Sequence, residues 1–130
     1  MEVENEEIKL NEYHVLAELQ AAFTARYPFL KIDFFEVDKM NGLPKPTQMD
    51  YNTKLNRLPV HDASARLDIS YNRTVAELTS DFFTKMGVSV QVSRKSGKVW
   101  NLISVTQSWT LKTQNSAAEF ISSLMKLSHI

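Results

Sequence analysis

One short pattern occurs twice in this chain and constrains its fold more than any other feature of the sequence. An apolar residue, Ala, Glu and Leu open each copy, at residues 16–19 and 75–78, and a Phe follows four residues after the Leu. Each copy then runs into a segment in which apolar and polar residues alternate, at residues 30–34 and 88–92. Recurrence at three and four residues indicates a helix, and alternation indicates a strand. The repeat therefore predicts that a helix followed by a strand is used twice within one domain.

The remaining segments extend this pair to helix, strand, long loop, strand, helix, strand, strand and helix. The first helix is expected to begin after the N-cap residue Asn11 and to end near Arg26. Residues 66–70 and 98–105 have the alternation of further strands. Four mostly antiparallel strands with helices on one face make an α+β two-layer sandwich. The alternation also predicts that the second face of the sheet is open.

Apolar spacing predicts which side of each helix is buried. The first helix has a stripe that runs from Tyr13 to Tyr27. Thr74 and Glu77 fit a capping box at the start of the second helix, and Gly87 is placed to end it. The last helix, capped by Ser108 or Thr110, is expected to bury Ala117, Phe120, Ile121, Leu124 and Leu127.

The length of 130 residues fits a single α+β domain spanning residues 1–130. Residues 1–8 are predicted to be disordered. Residues 38–62 contain most of the prolines and show no period, so they are predicted to form a long surface loop.

Composition narrows the classes of partner. The net charge is zero, which removes the usual electrostatic argument for nucleic acid or an anionic membrane. The N-terminus is acidic where a signal peptide would be basic, and no apolar run has the length of a membrane span. We therefore expect a cytoplasmic location and no membrane partner.

Residues that could perform chemistry are scattered along the chain. There is no cysteine, and His14, His61 and His129 have no second ligand at metal-binding spacing. With three glycines, the chain has no phosphate-binding glycine loop. We therefore predict no enzymatic activity, no cofactor and no metal. A weaker alternative is an enzyme whose site is built around residues 38–62.

The basic segment at residues 94–98, followed by Trp100, admits two interpretations. It could contact phosphates while an aromatic ring stacks on a base, or it could be a solvated turn whose Trp belongs to the core. Two hairpin registers are open: one pairs Val92 with Trp100, and the other pairs Val92 with Asn101. The first keeps polar side chains out of the core and is favoured. Trp109 likewise either fixes the entry of the last helix or joins a recognition surface with Gln114 and Asn115.

Two segments of the chain resemble an uncharacterised bacterial protein family. They are Val90-Gln91-Val92-Ser93-Arg94-Lys95-Ser96-Gly97-Lys98-Val99-Trp100 and Trp109-Thr110-Leu111 with Gln114-Asn115. Residues 27–32 are similar to that family too, so the resemblance spans most of the chain from Leu16 to Asn115. It implies an acidic residue before the second Trp, where this chain has Ser108. The resemblance implies no activity and no catalytic residues.

Two functional hypotheses follow. The first is a protein-interaction domain, which could form a homodimer through its open sheet face or its sheet edges. The second is a single-stranded nucleic-acid binder that uses the basic hairpin and the same face. The candidate surface for both consists of Phe35, Arg66, Gln91, Arg94, Lys95, Lys98, Val99, Asn101, Ile103, Trp109, Gln114 and Asn115.

Overall fold

A computed structural model describes residues 3–62 and 65–127, and it shows the predicted α+β class. Its strands are β1 (Val3–Glu4), β2 (Glu7–Lys9), β3 (Leu30–Val37), β4 (Pro44–Gln48), β5 (Arg66–Asp68), β6 (Val88–Ser96) and β7 (Val99–Leu102). Its helices are α1 (Leu16–Arg26), α2 (Val75–Met86) and α3 (Leu111–Leu127), with a 3₁₀ turn at Leu55–Arg57. The main antiparallel sheet has the order β4-β3-β6-β7, and a smaller sheet has the order β1-β2-β5.

The core lies between the main sheet and its helices. Ile32 of β3 pairs with Val92 of β6, and Phe34 pairs with Val90. All four side chains are buried, as alternation predicts for strands with one covered face. The Phe34 ring also meets Phe82 of α2 edge to face, with the ring centroids 5.8 Å apart. Such aromatic contacts add to the stabilisation from apolar burial.

The two helix–strand units belong to larger units that pair with each other. The unit β2–α1–β3 has the same order as β5–α2–β6, and β2 pairs antiparallel with β5 just as β3 pairs with β6. The hydrogen bonds are reciprocal: the amide of Leu10 donates to the carbonyl of Ala65 (3.1 Å), and the amide of Ile69 donates to that of Glu6 (2.9 Å). The two donors, Leu10 and Ile69, are 59 positions apart in the sequence, and so are the two acceptors, Glu6 and Ala65.

The correspondence continues past the sheet. The amide of Leu55 donates to the His14 carbonyl over 2.8 Å, and the amide of Leu111 donates to the Arg73 carbonyl over the same distance. Both leucines are buried. At this equivalent point the first half makes a 3₁₀ turn of three residues, whereas the second half continues as the 17-residue helix α3. Most of α3 therefore has no counterpart in the first half.

The membership of the main sheet differs from the prediction. The strand expected at residues 66–70 forms β5, which pairs with β2 in the small sheet. The fourth strand is instead β4, which lies inside the segment predicted as a loop, residues 38–62. Pro44 and Pro46 concealed this strand, because proline lacks a donor and is typical of turns or of sheet edges. Leu55 and Leu58 of the same segment are buried, so it contributes to the core.

The N-terminal segment also differs from the prediction of disorder for residues 1–8. Residues 3–9 form the β1–β2 hairpin, and Ile8 is fully buried. Asn5 and Glu6 form its turn with positive φ angles of 54° and 62°, and Arg26 makes an ion pair with Glu6 over 2.6 Å. Met1 and Glu2 lie outside the described residues. A single buried apolar residue gives no period, which is why the sequence pattern missed this strand.

The helix boundaries are partly as predicted. The end of α1 at Arg26, the capping box of Thr74 and Glu77, and the left-handed Gly87 are confirmed. The start of α1 was wrong, because Asn11 accepts a hydrogen bond from the amide of Tyr13 (2.9 Å) in a local turn and the helix begins at Leu16. Tyr13 is consequently exposed rather than buried.

Candidate functional site

The β6–β7 hairpin has neither of the two predicted registers. Ser96 pairs with Val99, so Gly97 and Lys98 alone form the turn, and Gly97 has a φ of +63°. Lys95 consequently pairs with Trp100. A two-residue hairpin loop accepts glycine at its first position, so Gly97 is as compatible with this loop as with the two predicted loops. Turn composition alone therefore left the register undetermined.

This register exchanges the two faces of β7. Trp100 and Leu102 lie on the open face of the sheet, beside Lys95 and Ser93. Val99, Asn101 and Ile103 lie on the face that carries the helices, so their predicted place on the open face is wrong. Ile103 is only 4% exposed and belongs to the core. The prediction that Trp100 is a core residue is also wrong, because the pairing places it on the open face.

Polar side chains hold α3 against the sheet. Asn115 Oδ1 accepts a hydrogen bond from the amide of Phe29 over 2.9 Å. Ser122 Oγ accepts one from the amide of Gly97 over 3.0 Å. One residue before Asn115, the fully buried Gln114 accepts a hydrogen bond from Arg94 Nη1 over 3.1 Å. Arg94, Gln114 and Asn115, three of the candidate interaction residues, therefore position α3.

The apolar side of α3 is left exposed. The predicted buried residues Phe120, Ile121, Leu124 and Leu127 are 65%, 36%, 49% and 63% exposed, so the prediction is wrong for these four. The side that contacts the domain carries Leu111, Gln114 and Ala118 instead. The polar contacts described above outweigh apolar periodicity in orienting this helix, because a buried amide left without a partner would be costly. We call Ala117, Phe120, Ile121, Leu124 and Leu127 the α3 stripe.

Ala117, Ile121 and Leu124 of the α3 stripe lie on the flank of the helix that is turned toward β7, whereas Phe120 and Leu127 face away from the sheet. Asn115 marks the flank toward β3, since it bonds to Phe29 at the start of that strand. Gln114 lies at the β7 edge of the buried side, since its Nε2 donates to the carbonyl of Thr106, in the segment after β7, over 2.6 Å. Positions 117, 121 and 124 continue the Gln114 flank at helical spacing. The exposed apolar surface of α3 therefore covers the flank toward β7 and continues onto the side that faces away from the sheet.

The neighbouring strand β7 is an edge strand. Within residues 3–62 and 65–127, its outer side has no strand partner. Val99 on the helix side and Leu102 on the open side are 57% and 52% exposed. The opposite edge, β4, contains Pro44 and Pro46, which natural sheets use to prevent edge pairing. The unprotected edge therefore lies beside the α3 stripe.

A groove of about 790 Å³ lies where the hairpin tip meets the C-terminal half of α3. Val99 and Gly97 line one wall, and Ser122 and Met125 line the other. Lysines at positions 95, 98 and 126 stand around it. The groove thus joins the exposed side of β7 to α3 and gives this end of the molecule a basic rim.

The open face of the sheet carries an aromatic residue between two cations. Lys31 Nζ and Lys95 Nζ lie 5.3 and 5.8 Å from the centroid of the Trp100 ring, within the range of cation–π attraction. Gln91 lies on the same face, paired with Asp33. Phe35 is on this face as predicted, but it is only 7% exposed between Gln48 and Ser89. Phe35 is therefore not an available contact residue.

An acid also occupies this face. Asp33 is 5% exposed, accepts a hydrogen bond from the Tyr51 hydroxyl over 2.8 Å and lies 3.8 Å from Lys31 Nζ. Burial and this hydrogen bond to Asp33 raise the pKa of Tyr51 above its ordinary value. The open face thus has mixed charge.

Two candidate residues lie away from both surfaces. Arg66 is on β5 in the small sheet. Trp109 is 42% exposed, and its carbonyl accepts a hydrogen bond from the amide of Val75 at the start of α2. Of the remaining candidates, Lys98 and Val99 line the groove beside the C-terminal half of α3, and Asn101 lies on the helix face of β7. The stripe itself and Leu102 were missed as surface residues, although the apolar period of α3 was already visible in the sequence.

The part of the chain that the structure describes contains neither a metal-binding cluster nor a membrane-spanning helix. Within it, no group of three His, Asp or Glu side chains is arranged to hold a metal ion. Of the helices in that part, none has the length and apolar content needed to cross a membrane.

Comparisons with known proteins leave the site to be interpreted from its geometry. No protein-family model, curated protein or solved structure matches this chain. The resemblance to a bacterial family that carries the Trp100 and Trp109 segments consequently stays a prediction. The exposed α3 stripe beside the open edge of β7 is the observation on which a functional proposal can rest.

Proposed function

We propose that this chain is a small non-enzymatic domain that associates with itself through the α3 stripe. The exposure of this stripe is the observation that carries the proposal. Scattered apolar residues on a surface need no explanation, but a contiguous apolar patch usually marks an interaction site. Here four large apolar side chains recur at helical spacing on one flank of α3, each at least 36% exposed.

The stripe is not required to close the core. In the first half of the chain, a 3₁₀ turn seals the equivalent position with Leu55. In the second half, Leu111 does this at the first residue of α3, and the helix then extends well beyond it. An apolar extension that the core does not use supports a role in association.

The charge of the chain is compatible with association between copies. The formal net charge is zero at pH 7, so two copies experience little overall repulsion. None of the five residues of the α3 stripe is charged.

The lack of cysteine is consistent with the cytoplasmic location that we propose for this domain.

Sedimentation equilibrium over a wide concentration range tests this proposal. The average mass of the wild type is expected to rise from monomer toward dimer, and the double variant Phe120→Ser/Leu124→Ser is expected to stay monomeric. Glu119→Gln, an exposed change on the opposite side of α3, serves as the control and should associate like the wild type. A wild type that stays monomeric at every concentration contradicts the proposal, and so does a double variant that associates normally.

The placement of Trp100 favours a second candidate function, single-stranded nucleic-acid binding. A ring on an open sheet with lysines on either side is an arrangement that stacks a base and contacts phosphates. We expect labelled oligothymidine to bind with an affinity that falls as salt rises, and Trp100→Ala to weaken it. Trp109→Ala is the matched control, because Trp109 lies outside the sheet. Anisotropy that does not change with protein concentration at low salt eliminates this candidate.

A further inference from the structure

We infer that the partner subunit in this self-association docks on the edge of β7, so that two main sheets form one continuous sheet of eight strands. This inference rests on the proposed function and adds the geometry of the contact. The two-fold axis is perpendicular to the sheet and passes beside Asn101. Such an axis keeps the helices of both subunits on one face of the combined sheet. Pairing of the two β7 edges therefore also brings the two α3 stripes toward each other.

The backbone of β7 is oriented for this pairing. The amide of Lys95 donates to the carbonyl of Phe29 on the β3 side, over 2.9 Å. In an antiparallel ladder, two residues that lie opposite each other direct their backbone amide and carbonyl groups either both toward each other or both away from each other. Trp100 is opposite Lys95, so its amide and carbonyl point away from β6. Leu102, two residues further along the strand, has the same orientation.

These outward groups allow only registers that place outward-pointing residues opposite each other, and we infer the one that pairs Trp100 with Leu102 of the partner subunit. Trp100 would exchange both of its backbone hydrogen bonds with Leu102 of the partner subunit, and Leu102 would do the same with Trp100 of the partner subunit. This uses the outward donors and acceptors of both residues. Asn101 then lies opposite Asn101 of the partner subunit in a non-hydrogen-bonded pair, where Cα atoms are about 4.5 Å apart.

The exposed apolar side chains of β7 gain partners in this register. On the open face, Trp100 lies beside Leu102 of the partner subunit, which is the aromatic–aliphatic cross-strand pair that stabilises sheets. On the helix face, Val99 forms part of the floor between the two α3 helices. The α3 stripes form the walls above this floor, and they contain no charge that would repel its own copy.

The area fits a dimer of this kind. Val99, Leu102 and the four large residues of the α3 stripe are each at least 36% exposed, and together they present roughly 500 Å² of surface, which is comparable to the largest apolar patch of a typical monomer. Two copies would bury about 1,000 Å², where specific interfaces begin. A second copy covers both the strand edge and the stripe, whereas a lone helix or a lone strand would cover one of them. The β4 edge cannot substitute, because Pro44 and Pro46 deprive it of donors.

Disulfide formation by Asn101→Cys tests the register directly. The chain has no cysteine of its own, so each single-cysteine variant reports one contact. The Cα spacing of about 4.5 Å expected at position 101 lies within the range that a disulfide bridges. Mild oxidation of Asn101→Cys is expected to convert most of the protein to a covalent dimer at concentrations where the wild type associates. Gln48→Cys, exposed on the opposite edge strand, is the control and should give at least fivefold less.

Leu102→Pro tests the same contact without a cross-link. Its amide points away from β6, so proline removes a donor to the partner subunit and none within the chain. We expect unchanged circular dichroism and at least tenfold weaker association. If the wild type dimerises but Asn101→Cys does not cross-link above the control, or Leu102→Pro associates normally, the β7 geometry is overturned and self-association stands. If the wild type never dimerises, both proposals fail.

Discussion

Arg94 of β6 and Gln114 of α3 are joined by a hydrogen bond of 3.1 Å from Nη1 to Oε1, and this contact fixes the orientation of the last helix. Gln114 is fully buried and also donates to the carbonyl of Thr106 over 2.6 Å. One polar side chain thus connects the sheet, the segment after β7 and α3. The apolar flank of α3 is exposed because this amide occupies the buried side.

Gln114→Ala is therefore expected to destabilise the fold strongly. The change leaves the Thr106 carbonyl and an Arg94 donor without their partner and opens a small cavity, which together should lower the free energy of unfolding by about 2 to 4 kcal/mol. Urea denaturation at one protein concentration measures this. Ser116→Ala, an exposed change on the same helix, should stay within about 0.5 kcal/mol of the wild type. Equal effects of the two variants would contradict the role given to Gln114.

Gly97→Ala is expected to be more destabilising than Gly42→Ala. Both glycines have left-handed backbones, with φ of +63° and +70°, so each substitution should cost about 1 to 2 kcal/mol of backbone strain. A Cβ at position 97 would also lie 3.2 Å from Cε of Met125, whereas one at position 42 would have no heavy atom within 4 Å. The difference in free energy of unfolding between the variants measures how closely α3 packs on the hairpin tip. Identical values would show that this packing is loose.

The elements that sequence reasoning placed correctly are those whose burial follows one simple period. β3 and β6 are central strands with one covered face, so alternation identified their buried residues. The small sheet was not predicted, because Ile8 and Leu67, which pair with each other there, each stand in a strand of only three residues. Strands that short contain too few residues to show a period.

The prediction of the candidate site was wrong where one sequence pattern is compatible with more than one structure. A Gly near the turn permitted three registers for the hairpin, and the one that forms moved Ile103 into the core and Trp100 out of it. The apolar period of α3 was read correctly, but a period says that a face is apolar and not what covers it. An apolar stripe that packs on the core and one that contacts a partner have the same periodicity in a sequence.

Ser70→Ala is expected to raise the pKa of Asp68. The Ser70 hydroxyl donates to Asp68 Oδ1 over 2.6 Å and, as the largest contribution, holds the pKa of this carboxyl below its usual value. A depressed pKa contributes stability that is present above the unfolded pKa of about 3.9 and is lost as pH falls through the folded pKa. The variant should therefore be less stable than the wild type at pH 7, and this part of the difference should vanish at low pH. Carbon-detected NMR titration of Asp68 measures the pKa, and an unchanged value contradicts the assignment. Ser80→Ala is the exposed control.

Val15→Thr is expected to stabilise the protein by about 1 kcal/mol, which is typical of a gained N-cap. Val15 precedes α1 at the position that Thr74 holds before α2, and both backbones are extended, with ψ of 163° and 160°. The reciprocal half of a capping box already exists, because Glu18 Oε1 accepts a hydrogen bond from the Val15 amide over 3.1 Å. Threonine has nearly the shape of valine and adds the oxygen that the amide of Glu18 can reach, as Thr74 does for Glu77. Thr74→Val is the inverse experiment and should lower the free energy of unfolding by a similar amount. Opposite signs in the two denaturation curves are expected because the two halves share one local geometry; a loss of stability in both variants would show that the site before α1 cannot accept a cap.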